Sequence, residues 1–451
     1  MPTALIVLAA GQGTRMQSDL PKVMHELGGV PLFAHALASG AALEPERTVL
    51  VVGHGAEAVE RAARDLDDSI AIAVQENQAG TADAVAAARD SLTGFDGDAV
   101  VLYGDTPFIS GDTLGRMLAA RDAGADVVVL GFVAANPGRY GRLVLDGDRL
   151  QRIVEFKDAS PAELDITLCN SGVVAADAGL LFDLIENVGN DNASGEYYLT
   201  DIVAIANARG LSCAAITCDE AETLGINTRA ELAEAEARFQ AGKRAEALDN
   251  GVTLVAPDTV FFAHDTWVGR DAVVEPNVVF GPGVTVETGA RIRAFSHLEG
   301  CHVSRDAVVG PFARLRPGAE LAEGAKVGNF VEIKQAQIAA GAKVNHLTYI
   351  GNAYVGEEAN IGAGTVTCNY DGVSKHHTHI GARSFIGSDT MLVAPVRIGD
   401  DAMTATGTVI TRDVPDGAMA IGRAQQTNKD GLWPKMLAKL KRMSTKPTSY
   451  T

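Results

Sequence analysis

Hydrophobic positions change their spacing near residue 250. Up to residue 227 they come in short, nearly continuous runs: TALIVLAA from residue 3, RTVLVVGH from 47, DAVVLYGD from 98 and DVVVLGFV from 126. Apolar runs without polar alternation predict strands buried on both faces. Between them, TADAVAAARDSL and GDTLGRMLAARDAG read as helices. Strands alternating with helices predict an α/β domain over 1–227 with a mostly parallel sheet covered on both sides. In such open sheets ligands bind beyond the carboxyl ends of the strands. Residues 228–250, rich in Ala, Glu and Arg, predict a linking helix that stops near Asn250-Gly251.

From residue 251 helical spacing gives way to a period of six. Val268, Val274, Phe280, Val286, Ile292 and Leu298 follow one another at that interval. The register slips by one and continues through Val303, Val309, Leu315, Leu321, Val327 and Ile333. It slips again to Ile338, Val344 and Ile350, then to Val355 and Ile361. A last run holds Ile380, Ile386, Leu392 and Ile398, with Thr404 as a polar lapse before Ile410. A hexapeptide repeat is a β-helix signature: each repeat gives one short strand and a turn, and three repeats close a coil. The apolar residue points inward, and Gly and Asn are expected at turns that need positive φ. Asn369 to His379 carries no inward residue and is expected to loop out. The tail LWPKMLAKLKRM reads equally well as a short amphipathic helix or a solvated segment.

Composition narrows the class. Of 451 residues, 47% are hydrophobic and 21% charged, ordinary for a globular protein with two cores. A net charge of −19 argues against nucleic acid or an anionic membrane as partner, but leaves room for anionic small substrates held by local cations and backbone N–H groups. The five cysteines are scattered with no C-x-x-C, which fits reduced thiols and a cytoplasmic location. The first apolar run leads straight into a glycine loop and reads as a buried strand, not a signal peptide. No stretch reaches the ~20 apolar residues of a membrane span.

The chemistry begins at that loop, Gly11-Gln12-Gly13-Thr14-Arg15-Met16. Successive N–H groups there can cradle phosphate, although the loop is neither G-x-G-x-x-G nor a Walker loop. Pro21-Lys22 brings a second cation, and Asp105 follows a strong strand at the ligand edge, where a carboxylate can hold Mg²⁺. LAAGQGTRM, PKVM, QAGTADAV and YGD, with IVEFKDA, CNSGV, EYYLTDI and GINT, together resemble sugar-1-phosphate nucleotidyltransferases. Their order most resembles the uridylyltransferase half of the bacterial bifunctional N-acetylglucosamine-1-phosphate uridyltransferase/glucosamine-1-phosphate acetyltransferases. The resemblance implies a Rossmann-like nucleotidyltransferase domain. Leu8, Ala9, Ala10, Gly11, Gly13 and Lys22 would hold the nucleotide with Arg15, and Gln75, Gly80 and Thr81 would read the uracil of UTP. Tyr103, Gly141, Glu155, Asn170 and Asn227 would surround the sugar phosphate, Asp105 and Asn227 would ligate Mg²⁺, and Arg15 and Lys22 would act catalytically.

In the second part, Leu315-Arg316-Pro317 and Glu332-Ile333-Lys334 set two cations 18 residues apart, one coil of a β-helix, so that both emerge on one face. Paired cations suit phosphate. His346 follows Lys334 by 12 residues and is a candidate base for an amine near neutral pH. LRP, VEIK, NH-x-x-YIG, NIGAGT and CNYDG match the acetyltransferase half of the same family in order. The resemblance implies a C-terminal left-handed parallel β-helix over 251–451 and makes His346 the general base. Arg316, Lys334, Tyr349, Asn360 and Lys375 would bind glucosamine 1-phosphate. Ala363, Asn369, Tyr370, Ser388, Thr406 and Arg423 would contact acetyl-CoA, and the β-helices would form a homotrimer. Two other readings stay open on the residues: a nucleotidyltransferase whose β-helix is scaffold, and a silent regulatory subunit. Against the first stand His346, Arg316 and Lys334. Against the second stand Arg15, Lys22 and Asp105.

Overall fold

A computed structural model describes residues 1–444 and divides the chain into two compact units: Met1–Glu246 with Phe262–His264, and Ala247–Phe261 with the residues from Asp265 on. In the first unit the apolar runs form one sheet. Its strands lie in the order Cys213–Cys218, Val127–Val133, Leu168–Asp177, Asp98–Tyr103, Thr3–Ala9, Arg47–Val52 and Ala71–Val74. Along this order all pairs are parallel except those of Leu168–Asp177, which runs antiparallel to both neighbours, and an antiparallel hairpin, Arg142–Asp146 with Arg149–Val154, joins the sheet through Leu168–Asp177. Side chains alternate across each strand. Ala4, Ile6, Leu8 and Ala10 therefore enter the core on one face, and Leu5, Val7 and Ala9 the core on the other.

Helices Leu32–Ala41, Ala56–Leu66, Thr81–Ala86 and Gly111–Asp122 alternate with these strands. The helix expected over TADAVAAARDSL stops at Ala86, and Asp90–Leu92 forms a separate 3-10 turn. The helix Arg229–Asp249 is more than a connector: its Leu232, Ala235 and Phe239 pack on Leu27, Leu32 and Ile226 in the first unit.

The second unit is a left-handed β-helix of two- to seven-residue parallel strands. Its inward residues stack in columns. One runs Val274, Ile292, Val309, Val327, Val344, Ile361, Ile386 and Thr404, each at most 2% exposed. The polar Thr404 is satisfied inside: Gly387 N–H donates to its Oγ1 at 3.0 Å, and Thr390 Oγ1 lies 3.0 Å away. Residues 369–377 leave the coil, whereas Thr378–Ile380 rejoin it as a strand, so His379 is not part of the excursion.

The corners depart from expectation. Alongside Gly and Asn, the positive-φ turns carry Phe295, Phe312, Phe330 and Leu347, at φ 60°, 55°, 55° and 50°. Bulky residues are unfavourable there. The three phenyl rings stack with centroids 4.9 and 5.2 Å apart, and 46–56% of each residue stays exposed. The tail forms the helix Leu432–Ser444, with Leu432, Trp433, Met436, Leu437 and Leu440 exposed. The rest of the tail lies outside the described residues. Among the described residues no helix is long and apolar enough to cross a membrane.

Candidate active sites

The strands Thr3–Ala9, Ala71–Val74 and Asp98–Tyr103 end at a cavity of about 260 Å³. Leu8, Ala10, Gly11, Lys22, Gln75, Gly80, Thr81, Tyr103 and Asp105 line it, as do Val23, Gln78, Ala84 and Glu196. Gly13 is needed for close approach: its φ is +63°, and a Cβ there would lie 2.4 Å from the Lys22 Cβ. The loop can therefore fold onto Lys22, whose Nζ donates to Asp105 Oδ2 and, at 3.1 Å, to Asn227 Oδ1. Asn227 reaches this point because Ile226 N–H donates to the Asp105 carbonyl at 3.0 Å. Gly80 likewise allows close packing, since a Cβ would lie 2.4 Å from the Tyr197 carbonyl oxygen.

Of the residues expected on the sugar side, Gly141, Glu155 and Asn170 lie together. The sheet register shifts between Asn170 and Val174, and Gly172 in that irregularity lies against the Tyr103 ring, 2.6 Å from where its Cβ would be. Asn170 N–H donates to the Gly141 carbonyl at 2.9 Å, and a Cβ on Gly141 would sit 3.5 Å from the Glu155 carboxylate. Burial raises the Glu155 carboxyl above the usual carboxylate range, opposed by Thr200, whose hydroxyl donates to Oε1 at 3.1 Å. Burial, then the Asp105 charge, pushes the Tyr103 phenol well above its ordinary value and keeps it a neutral donor.

Not every predicted residue meets the cavity wall. Ala9 faces the opposite core, so its side chain does not line the site. Arg15 lies on the exposed turn Thr14–Met16, outside the wall. Gly13, Asn227, Gly141, Glu155 and Asn170 stand behind or beside it through the contacts above.

In the second unit the strand pairing Leu315↔Ile333 sets Arg316 beside Lys334 on adjacent coils. Arg316 donates to Glu332 Oε1 at 2.8 Å. Arg316, and then Lys375, hold the Lys334 ammonium below its ordinary pKa, so three cations converge. Tyr349 pairs with Glu332 on the next coil, and its hydroxyl lies 2.3 Å from where a Cβ on Gly351 would be. Asn369, Tyr370 and Lys375 belong to the excursion at the far corner of this face.

His346 occupies the near corner, and its column continues along the coils. Gly364 N–H donates to the His346 carbonyl at 3.4 Å, Asp389 N–H to Ala363 O at 2.7 Å and Gly407 N–H to Ser388 O at 2.8 Å. Arg423 donates to the Thr406 carbonyl at 2.5 Å. Ala363, Ser388, Thr406 and Arg423 thus share one edge with His346, whereas Asn369 and Tyr370 do not. Asn360 lies on the strand pairing with Lys343 and Phe385, across the edge from the three cations.

Comparison with known proteins finds a family match in each unit. The MobA-like NTP transferase domain family matches residues 5–158, and the hexapeptide repeat of succinyl-transferase matches residues 377–412. The bifunctional protein GlmU of Jannaschia sp. (strain CCS1) is 64% identical over 98% of this chain and 97% of its own length. That of Ruegeria sp. (strain TM1040) is 66% identical over 98% of both. That of Cereibacter sphaeroides (strain ATCC 17023) is 67% identical over 96% of this chain and 95% of its own. The chain belongs to the GlmU family. It is a bifunctional acetyltransferase and uridylyltransferase of UDP-N-acetylglucosamine synthesis.

Within this GlmU frame, sequence reasoning missed Asn329. It is the register partner of His346 one coil earlier, and His346 Nδ1 lies 2.7 Å from its Oδ1. Asn329 Oδ1 only accepts, so Nδ1–H donates to it, and in the neutral ring the lone pair is then on Nε2, the tautomer a base requires. Asn329→Ala should lower kcat for acetyl transfer about tenfold through loss of ring alignment, with KM for acetyl-CoA nearly unchanged, as measured by CoA release. Two histidines near the excursion have structural partners. His376 Nε2 lies 2.6 Å from Asp371 Oδ2, and His379 stacks on Tyr354 with centroids 5.0 Å apart. Among the described residues no cluster of three or more His, Cys, Asp or Glu could hold a metal ion.

Proposed function

We propose that the two activities divide between the two sites, acetylation first in the β-helix and uridylyl transfer second in the sheet domain. The observation that carries this reading is that one chain builds two separate anion-receiving centres. One is the Lys22, Asp105 and Asn227 cluster under a cavity, and the other is the Arg316, Lys334 and Lys375 group beside His346.

At the β-helix site the three cations would hold the phosphate of glucosamine 1-phosphate, with Tyr349 and Asn360 on the sugar. The amine nitrogen attacks the acetyl-CoA thioester carbonyl, His346 Nε2 takes the amine proton, and CoA leaves as the thiol. Ala363, Ser388, Thr406 and Arg423 would carry acetyl-CoA along the His346 edge, with Asn369 and Tyr370 reaching it from another copy.

At the sheet site a phosphate oxygen of N-acetylglucosamine 1-phosphate attacks the α-phosphorus of UTP in line, and pyrophosphate leaves. No side-chain nucleophile is needed; Lys22, Arg15 and the Gly11–Gly13 N–H groups neutralise and orient the phosphates. The Asp105 carboxylate and Asn227 amide oxygen already converge on one cation, the Lys22 ammonium. Hard oxygen donors completed by substrate phosphate suit Mg²⁺, and these two residues would hold it. Bound there, it supplies charge neutralisation at the reacting phosphates. The scattered free cysteines support a cytoplasmic location.

Assays of the two half-reactions on the intact protein test the division. Expected are CoA release that requires glucosamine 1-phosphate, and pyrophosphate release that requires N-acetylglucosamine 1-phosphate. Pyrophosphate without CoA would make the β-helix a scaffold.

The exposed Phe295, Phe312, Phe330 and Leu347 ladder, together with the split of the acetyl-site residues across an edge, supports a homotrimer through the β-helix. Phe312→Asp keeps a residue tolerant of positive φ while putting a charge in the ladder. It should cut the mass in light scattering roughly threefold and abolish acetyl transfer, while uridylyl transfer persists. A trimer of unchanged mass would exclude the ladder as interface.

A further inference from the structure

We propose that Asp83 is a positioning residue that sets base specificity by fixing which end of the Gln75 amide meets the nucleotide. The inference rests on the reading of the 260 Å³ cavity as the base site.

Gln75 is buried, only 7% exposed, and lies on the cavity wall. Its Nε2 donates to Asp83 Oδ2 at 2.7 Å and to the Gly80 carbonyl at 3.1 Å. Both partners only accept, so the amide end between them has to be the NH₂ group, and both of its hydrogens are committed. The one polar atom of the side chain left for a ligand is Oε1, which only accepts. A pyrimidine offering an N–H there is satisfied, as uracil does at N3. Cytosine presents a lone pair at N3 and would set two acceptors face to face. A buried polar pocket that matches one hydrogen-bond pattern rejects the ligand lacking it far more strongly than shape alone does.

Asp83 also sits in the first turn of Thr81–Ala86, where an acid suits the helix dipole. That role would need only a loose contact, such as Ala79 N–H to Asp83 Oδ2 at 3.4 Å. The shorter bond goes to the Gln75 amide. Without the carboxylate, only the longer bond to the Gly80 carbonyl, at 3.1 Å, still opposes turning that amide over. An asparagine at 83 can itself donate to Gln75 Oε1, holding the reversed amide with Nε2–H towards the base, whereas the shorter serine removes the acceptor that held the original one.

The test uses the intact enzyme with N-acetylglucosamine 1-phosphate and either UTP or CTP, reading pyrophosphate release. Asp83→Asn and Asp83→Ser should raise the CTP/UTP ratio of kcat/KM at least tenfold. Loss of a helix-stabilising charge would lower both nucleotides together and leave the ratio alone. Acetyl transfer by the same preparations reports whether the other unit is folded. Ratios within twofold of wild type in whichever variants retain activity would overturn the proposal, provided Gln75→Ala collapses discrimination. If Gln75→Ala also leaves the ratio unchanged, the base-site reading has failed and the proposal falls with it. Loss of all uridylyl transfer in both Asp83 variants would make Asp83 a folding residue, and would equally overturn it.

Discussion

His346→Ala is expected to slow acetyl transfer by about 10²–10³-fold, the usual contribution of a positioned general base, while uridylyl transfer in the same sample stays at wild-type rate. The amine of glucosamine 1-phosphate has to lose a proton as the C–N bond forms. His346 Nε2 is the atom left to take it once Nδ1–H is committed to Asn329 Oδ1 at 2.7 Å. The loss should fall on kcat. KM for glucosamine 1-phosphate should change little, because the phosphate is met by Arg316, Lys334 and Lys375, none of which bonds to His346 in the described hydrogen-bond pattern. Stability should hold. His346 is exposed, and the contact that shapes its corner, Thr348 Oγ1 donating to the His346 carbonyl at 2.6 Å, is made by backbone that alanine keeps. CoA release followed with a thiol reagent gives both constants. A loss under threefold would show that His346 is a structural corner residue and that the amine finds its base elsewhere.

The same pair of residues marks where the sequence stops being legible. The β-helix is written many times over, because each coil repeats the inward apolar position and a single lapse such as Thr404 is outvoted by its column. The parallel sheet is legible for a related reason: unbroken apolar runs leave no polar face, and their carboxyl ends locate the cavity. Individual partners are written only once. Asn329 in VGNF looks like any turn asparagine until the 17-residue coil step brings it to His346. Asp83 looks like a helix-start acid until Gln75 is buried beside it. Gln78 stands in the motif QAGTADAV, yet its place on the cavity wall, with Nε2 donating to the Ala10 carbonyl at 3.0 Å, depends on loop geometry. Ala9 follows Leu8 and precedes Ala10, and only side-chain alternation separates it from them. The Phe corners run against the turn preferences of single residues because ring stacking between coils, a tertiary interaction, offsets the local cost.

Asp105→Asn should produce the mirror-image result: uridylyl transfer falls roughly 10³-fold with acetyl transfer intact. Asp105 carries the one carboxylate in the cluster with Lys22 and Asn227, and the substitution removes its charge while keeping its shape. Lys22 retains acceptors, the Asn227 Oδ1 at 3.1 Å and the new amide oxygen, so it is not left stranded in a part-buried site where it is 16% exposed. The fold should therefore survive, with a loss of about 1–2 kcal/mol on thermal unfolding. A freed Lys22 is also a better phosphate ligand than one tied to a carboxylate, so KM for UTP should not rise even as kcat collapses. That split separates the two things Asp105 could be doing. If it only restrained Lys22, Asp105→Asn would bind UTP at least as well and turn it over at a comparable rate. If it holds the reacting phosphates through a cation, binding persists and turnover does not. Pyrophosphate release at saturating UTP, beside CoA release as the control, decides between them.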